Sequence, residues 1–381
     1  MIDTVIMIIP FRQTQITNAE RFGGTEAINR VLTSYVPRNG KGIEIYVNPT
    51  SDDKQHGYFP RITFSRTAFQ VDDSSTNFKI ECSLPKILFN NNVYELRESD
   101  LENLLQTLQE KLSRLGLFIE VDVLRNAFVS RVDYAKNILL PGNCGIFLHW
   151  VSKADLHSSL GRNKTAYAPG GSSFKSYTKR HHILAYDKVA EVTKSFYCEN
   201  RSVTRDNHCQ RTLFNQLQEA NSQIFRLEVA FLKRAKLKDL CASLNIEMGQ
   251  GRLSQLFNEN VSKTILQHYS GRIFNSIRRL NLDNSDDITL IDRIEQAFPN
   301  ITTNRTLNLL SQIKLVSTYD MDFFRNKFRF CSSQISRLRR DLDAINSTQN
   351  SPFSSVMRNI HAVESCLQEF LPIEESNLFG G

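Results

Sequence analysis

The chain has 381 residues, 40% of them hydrophobic and 23% charged, the make-up of an ordinary globular protein with room for two or three domains. A net charge of +7 and a pI near 9.0 favour a polyanionic partner. Seven cysteines, an odd number without any C-x-x-C pair, exclude a zinc ribbon or a disulfide framework and fit a reducing cytoplasm; no apolar run is long enough to span a bilayer.

The opening MIDTVIMIIPFR has an acid at Asp3 and no basic flank, so it reads as a first strand rather than a signal peptide. Up to about Val93 the pattern is of short strands, Thr4–Ile9, Ile43–Val47, Tyr58–Ser65 and Asn77–Ser83, parted by turn-rich pieces. Leucines from Leu101 to Leu115 then recur at helical spacing, with Ser99 and Glu102 as a capping box and Gly116 as the stop. Strands are predicted at Phe118–Val123 and Ala127–Ala135, and a polar, irregular loop over Pro141–Gly171. A basic turn leads from Gly170-Gly171 into a strand at His182–Lys188, followed by a helix from Asp187 to about Ser195. The polar stretch Glu199–Asn215 is weakly helical, and Ile224–Phe231 is again a strand. Beyond it the period is helical: Lys236–Leu244, Leu253–Tyr269, Ile288–Phe298, Thr306–Ser317, a broken Phe323–Ile345 and Val356–Phe370, with a frayed tail at Gly380-Gly381. The fold class is therefore α+β. A mixed, mostly antiparallel sheet domain over 1–237 carries the site, and a helical region over 238–381 follows.

Three strands carry similar cargo on one face. In FVSRVDYA, alternation puts Arg131 and Asp133 together and turns Phe128, Ser130, Val132 and Tyr134 the other way. Tyr186 and Lys188 share a face with His182 and Leu184, and Arg226 shares one with Glu228. On a solvated edge such residues are commonplace. Converging in a cleft, Asp133 and Glu228, with Glu81 as a third candidate, could hold Mg²⁺ or Mn²⁺ through oxygen ligands while Tyr186 attacks phosphorus. Lys188, Arg131 and Arg226 would then offset charge on the carboxylates and phosphate. There is no phosphate-binding G-x-x-x-x-G-K-[ST], no H-E-x-x-H and no His-hydrophobe-His pair. Lys175, Lys179, Arg180, Lys233 and Arg234 flank these strands as candidate DNA contacts. Phe323–Ile345 reads as a candidate helix-turn-helix, with Ser332 or Ser333 capping its second helix. Gln334 and Arg337 would there read bases, with Arg339 and Arg340 on phosphates. An amphipathic helix with a solvated basic face is the plainer alternative.

With these residues assembled, the chain resembles the gene II replication proteins of filamentous bacteriophages, related to plasmid rolling-circle initiators. Met1-Ile-Asp3 with Pro10-Phe11, Ser83-Leu-Pro-Lys86 with Asn92-Val93, Ser130-Arg-Val-Asp133, Ile183-Leu-Ala-Tyr186 and Arg226-Leu-Glu228 follow the family's motifs in order, over residues 1 to about 240 and more loosely to about 345. Pro85 lies one residue late, and Asn90-Asn91 stand where Gly-His is usual. The resemblance implies that Tyr186 is the nucleophile and that Asp133 and Glu228 are acids of the site. It also implies nicking of double-stranded origin DNA and rejoining of the displaced single strand in the host cytoplasm, with a host helicase and polymerase as partners. A non-catalytic origin-binding protein is the first alternative, and an RNA-binding sheet, suggested by 25 phenylalanines, the second.

Overall fold

In a computed structural model, residues 1–36, 42–66, 76–154, 163–167, 172–197, 213, 215–217, 219, 222–280, 287–319, 321–347 and 355–374 are described. Their strands are β1 (Ile2–Pro10), β2 (Thr14–Ile16), β3 (Ile43–Val47), β4 (Arg61–Arg66), β5 (Thr76–Ser83), β6 (Leu117–Ile119), β7 (Phe128–Leu139), β8 (Asn163–Tyr167), β9 (Ser173–Tyr177), β10 (His181–Asp187) and β11 (Ile224–Phe231). Nine make one sheet in the order β3-β4-β5-β1-β7-β11-β10-β9-β8, and β2 pairs with β6 in a separate ribbon. Every pairing among the described residues is antiparallel, so the α+β assignment stands and the allowance for a mixed sheet was unnecessary.

Among the described residues, helices before Leu253 include α1 (Gly24–Thr33), α2 (Leu84–Phe89), α3 (Leu101–Arg114), α4 (Val121–Arg125), α5 (Cys144–Lys153), α6 (Lys188–Tyr197) and α7 (Arg234–Ser243). After them come α8 (Leu253–Leu256), α9 (Glu259–Leu280), α10 (Asp287–Ala297), α11 (Thr303–Tyr319), α12 (Met321–Asn326), α13 (Ser332–Ser347) and α14 (Ser355–Glu369).

Several local expectations are corrected. The strand predicted at Phe118–Val123 is only β6 plus the turn of α4. The loop predicted over Pro141–Gly171 contains α5, capped by the Asn143 side chain accepting the Ile146 N–H at 2.9 Å, and β8. Cys144, Phe147, Leu148 and Val151 are buried, so α5 has an ordinary apolar helical face. The helix predicted over Leu253–Tyr269 is split into α8 and α9. At the start of α3, Ser99 and Glu102 form no box: Asp100 accepts the Arg97 N–H at 2.7 Å, and Glu102 pairs with Arg125. Gly116 does end the helix, at φ +85°, where an added Cβ would meet the Asn18 Cβ at 2.8 Å. Gly170-Gly171, most of Glu199–Asn215 and the tail at Gly380-Gly381 lie outside the described residues.

One face of the sheet is mostly apolar, with buried Lys136 and His181 among its polar members. Val5 and Met7 of β1, Phe78 and Ile80 of β5, Val129 and Val132 of β7, Leu227 and Val229 of β11, and Ile183 and Ala185 of β10 are all buried. Helices α9 and α14 pack on β7, and α5 on β9 and β10. The core therefore crosses the predicted boundary at 237: Ile265, Phe274, Ile360 and Leu367 join the sheet residues in one cluster. A second cluster, with Leu290, Ile313, Phe324, Ile335, Leu338 and Leu342 in it, holds α10 to α13 together.

Candidate active site on the polar face of the sheet

The other face holds the polar residues, and cross-strand register places them. Tyr186 lies opposite Arg226, which lies opposite Asn137. One pair along, Leu184, Glu228 and Ala135 are aligned, and then His182, Ala230, Asp133, Thr4 and Ser83. Directly opposed residues share a face, so Tyr186, Arg226, Glu228 and Asp133 form a stepped row on it: Tyr186 faces Arg226, Glu228 is two residues along β11, and Asp133 is its diagonal neighbour at roughly 7–8 Å. The strand alternation expected of Arg131/Asp133, Tyr186/Leu184/His182 and Arg226/Glu228 is what the register shows.

Two β-bulges shape this face. Between Ile2 and Thr4 the register with β7 slips by one residue, so Asp3 is the extra one. Its carboxylate is thereby brought to Arg226, 2.9 Å away, with Thr4 Oγ1 donating to it at 3.0 Å. The second slip, between Ile6 and Met7, leaves Ser130 of β7 unpaired. Ile6 faces Arg131 and Ile8 faces Phe128, so Phe128 lies on the same face as Arg131 and Asp133. Uninterrupted alternation had put it on the opposite face.

Charge is concentrated here. Arg131 grips Asp133 with both arms, Nε to Oδ1 at 3.0 Å and Nη2 to Oδ2 at 2.6 Å. Arg226, 2% exposed, lies between Asp3 and Glu228, whose Oε2 is 3.6 Å from Nε. Burial pushes the Asp133 carboxyl up to about 6, with Asp3 and Glu81 adding to it and Arg131 opposing. Burial likewise pushes Glu228 up to about 7; Arg226 opposes, and Asp3 and Asp133 add repulsion. Asp3 goes the other way: burial disfavours its charge, but Arg226 and Lys188 outweigh burial and hold it below the usual range. Burial raises the Tyr186 phenol well above 10, and Arg226 opposite it works against that rise.

Lys188 is close to Tyr186 by a different route from the one predicted. The strand ends at Asp187 and Lys188 begins α6, so strand alternation does not place it. It is 1% exposed, donates to Asn92 Oδ1 at 2.8 Å and Glu191 Oε2 at 2.5 Å, and lies 6.0 Å from the Tyr186 ring centroid. Asn92 also offers its carbonyl to Arg226 at 3.0 Å, and Asn137 Nδ2 donates to the Val93 carbonyl at 2.8 Å. Thus Asn92-Val93, quoted in the sequence only as a motif, ties β7, β11 and α6 together. Asp3, Asn92 and Glu191 are the site residues that sequence reasoning missed. Asp3 was signalled by being the one acid in an apolar strand.

The remaining candidates are placed as follows. Glu81 is on the same face, half-buried, opposite Ile6 and so in the row of Arg131 rather than beside Glu228. Of the rival tyrosines, Tyr134 is buried in the core and donates to the Leu256 carbonyl at 3.3 Å, while Tyr177 is 38% exposed on β9. Lys175, half-buried opposite Leu184, has its ammonium 5.6 Å from the Tyr177 ring centroid. Lys179 and Arg180 are exposed in the β9–β10 turn. The Arg180 carbonyl accepts from Leu232 N at 2.9 Å and Lys233 N at 3.2 Å, bringing exposed Lys233 beside them. The Arg234 guanidinium lies 4.6 Å from the Phe128 ring centroid. In the helical region α12 and α13 flank a turn, but it lies at 327–331 rather than at Cys331-Ser332-Ser333, and Ser332 and Ser333 are the first residues of α13 rather than its cap. At the start of α13, Gln334 Oε1 accepts the Cys331 N–H at 2.9 Å, so Gln334 serves the helix end there. Arg337 and Arg340 are exposed, and Arg339 is half-buried.

Among the described residues no three Asp, Glu, His or Cys side chains are gathered as a metal cage. The donor chemistry of Asp133 and Glu228 nevertheless suits a hard divalent cation: both are carboxylates pushed toward neutrality by burial and nearby acids, and a cation reverses both effects. Among the described residues no helix is long and apolar enough to cross a membrane.

No curated protein matches the chain. The family described as the N-terminal part of the replication-associated gene II protein matches residues 1–240, the span that carries every described strand of the sheet. The chain belongs to that family and is a phage replication-associated initiator of the rolling-circle kind.

Proposed function

We propose that the protein nicks one strand of double-stranded origin DNA through Tyr186 and later rejoins the displaced strand. The observation that carries this reading is the stepped row of Tyr186, Arg226, Glu228 and Asp133 on the polar face of the sheet. The Tyr186 hydroxyl oxygen attacks the scissile phosphorus, forming a phosphotyrosine bond to the 5′ side. The bond to the 3′ oxygen breaks, and that oxygen takes up a proton to become a free 3′-hydroxyl. Rejoining is the reverse attack by a 3′-hydroxyl. Arg226, directly across from Tyr186, offsets the negative charge as the phenol loses its proton; Lys188 adds positive charge at the ring. Asn92 fixes both cations. Asp133 and Glu228 would hold Mg²⁺ or Mn²⁺, which when bound polarises the scissile phosphate. Glu81 is kept as a candidate third ligand, and Arg131 orients Asp133. The free 3′-hydroxyl suits extension by a host polymerase with a host helicase, in the host cytoplasm.

Lys175, Lys179, Arg180 and Lys233 would contact the backbone of the bound DNA, with residues 1–237 as the nicking part and 238–381 assisting. In α13, Arg337 would read a base edge, and Arg339 and Arg340 would hold phosphates. Arg337→Ala is expected to cost about 1–3 kcal/mol at the origin and little on unrelated DNA. Equal losses on both would leave α13 as a solvated helix.

The direct experiment incubates the protein with supercoiled DNA carrying candidate origins and Mg²⁺, and scores site-specific nicks. Nicking by the unmodified protein, stopped by a chelator and restored by Mg²⁺ or Mn²⁺, is the expected result. Origin binding with no nick under any metal would make the protein a non-catalytic origin binder.

A further inference from the structure

The polar face continues past the acids to a groove at the far end of β7. Phe128, 39% exposed, lies on the same face as Arg131 because of the bulge at Ser130. Beside it are Arg12, exposed after β1, Arg234 at the start of α7 and Arg252 before α8. The groove is lined by these three arginines, by Phe128 and by neutral residues, with no Asp or Glu among the described residues of the lining. Two of the arginines are held by neutral acceptors. Arg252 donates to the Asn126 carbonyl at 2.6 Å and to Gln250 Oε1 at 3.0 and 3.2 Å, and Arg234 donates to the Gln250 carbonyl. Gln250 can reach both because Gly249 and Gly251 are left-handed, at φ +57° and +66°. A Cβ on Gly251 would come within 2.9 Å of Arg234 Nε.

The charge of Arg234 and Arg252 faces carbonyl oxygens, whereas that of Arg131 and Arg226 is offset by paired carboxylates. Three arginines around an exposed ring, with no acid among the described lining residues, are the parts of a nucleic-acid backbone site, in which charge follows phosphates and an aromatic supports a base. From Asn137, aligned with Tyr186 through Arg226, to Phe128 is nine residues of β7, roughly 30 Å at the strand rise. We infer that the groove of Arg12, Arg234 and Arg252 holds the phosphodiester backbone of the DNA strand, away from the point of cleavage. The inference rests on the proposed DNA role of this face and deepens it by giving the strand a path along β7.

The test is equilibrium binding of labelled DNA of unrelated sequence, single-stranded in one arm and duplex in the other, titrated with salt. Gln250→Glu keeps acceptors for Arg252 while placing an acid in the groove; Arg12→Ala removes an exposed cation. Each is expected to weaken binding and to flatten the slope of log K against log salt by about 0.7 on the single strand or 0.9 on duplex. The arm with the larger effect identifies the form bound. Arg30→Ala on α1, an equal change in net charge elsewhere, should leave the slope alone. Unchanged slopes in both groove variants, with both folded, overturn the inference. Cleavage plays no part in the measurement, so a groove that binds DNA in a protein that does not nick separates the two readings. Nicking with unaltered slopes separates them the other way.

Discussion

The two faces of the sheet come from the same strands and obey opposite rules. On one, Phe225, Leu227, Val229 and Phe231 of β11 are buried against helices, with the Phe147 ring of α5 meeting Phe225 at 5.1 Å between centroids. On the other, Arg226, Glu228 and Ala230 of the same strand belong to the polar row of Tyr186 and Asp133. A period of two separates them, so each substitution on β11 falls either on stability or on chemistry. On either face buried charge occurs where it is paired: Arg226 with Asp3 and Glu228 on the polar face, and Lys136 with Glu95 on the covered one.

The largest effect should come from the polar face. Asp133→Asn or Glu228→Gln is expected to lower nicking on the order of 10²-fold or more, because the charge facing the scissile phosphate site is removed. The same variants should unfold within about 1 kcal/mol of the parent in urea, since each removes a carboxylate that burial already opposes. A large loss of stability would mean that these acids hold the sheet together instead. On the covered face, Phe225→Ala should do the reverse and cost about 3–5 kcal/mol in urea unfolding, with nicking by the folded fraction retained. Between the faces, Asn92→Ala removes the Asn92 acceptor of buried Lys188 and should cost about 1.5–3 kcal/mol. The smallest effect belongs to Tyr177→Ala, an exposed position at the end of β9, expected to stay within about 0.5 kcal/mol and to leave the yield of nicked circles unchanged.

The sequence revealed the strands of the site because their alternation is nearly unbroken. Ile43–Val47 and Ile224–Phe231 have the predicted bounds, and β10 is shifted by one residue. It failed where one residue breaks the period. Asp3 and Ser130 are bulges, so Asp3 enters the site unannounced and Phe128 changes face. Lys188 misled for a related reason: a strand that turns into a helix at Lys188 keeps its residue near Tyr186 but from another direction. Asn92 could not be assigned from its own neighbourhood, since its partners Lys188, Arg226 and Asn137 are 45 to 134 positions away. The helix of Cys144–Lys153 was legible and was missed, its apolar spacing hidden in a segment read as polar.

The measurement that bears most directly on the account is a peptide map of the covalent protein–DNA adduct, recovered under denaturing conditions after reaction with origin DNA and Mg²⁺. The account predicts a phosphotyrosine at Tyr186, and no adduct from Tyr186→Phe, which should still bind the origin. An adduct that survives in Tyr186→Phe, or one that maps to Tyr177, would contradict it.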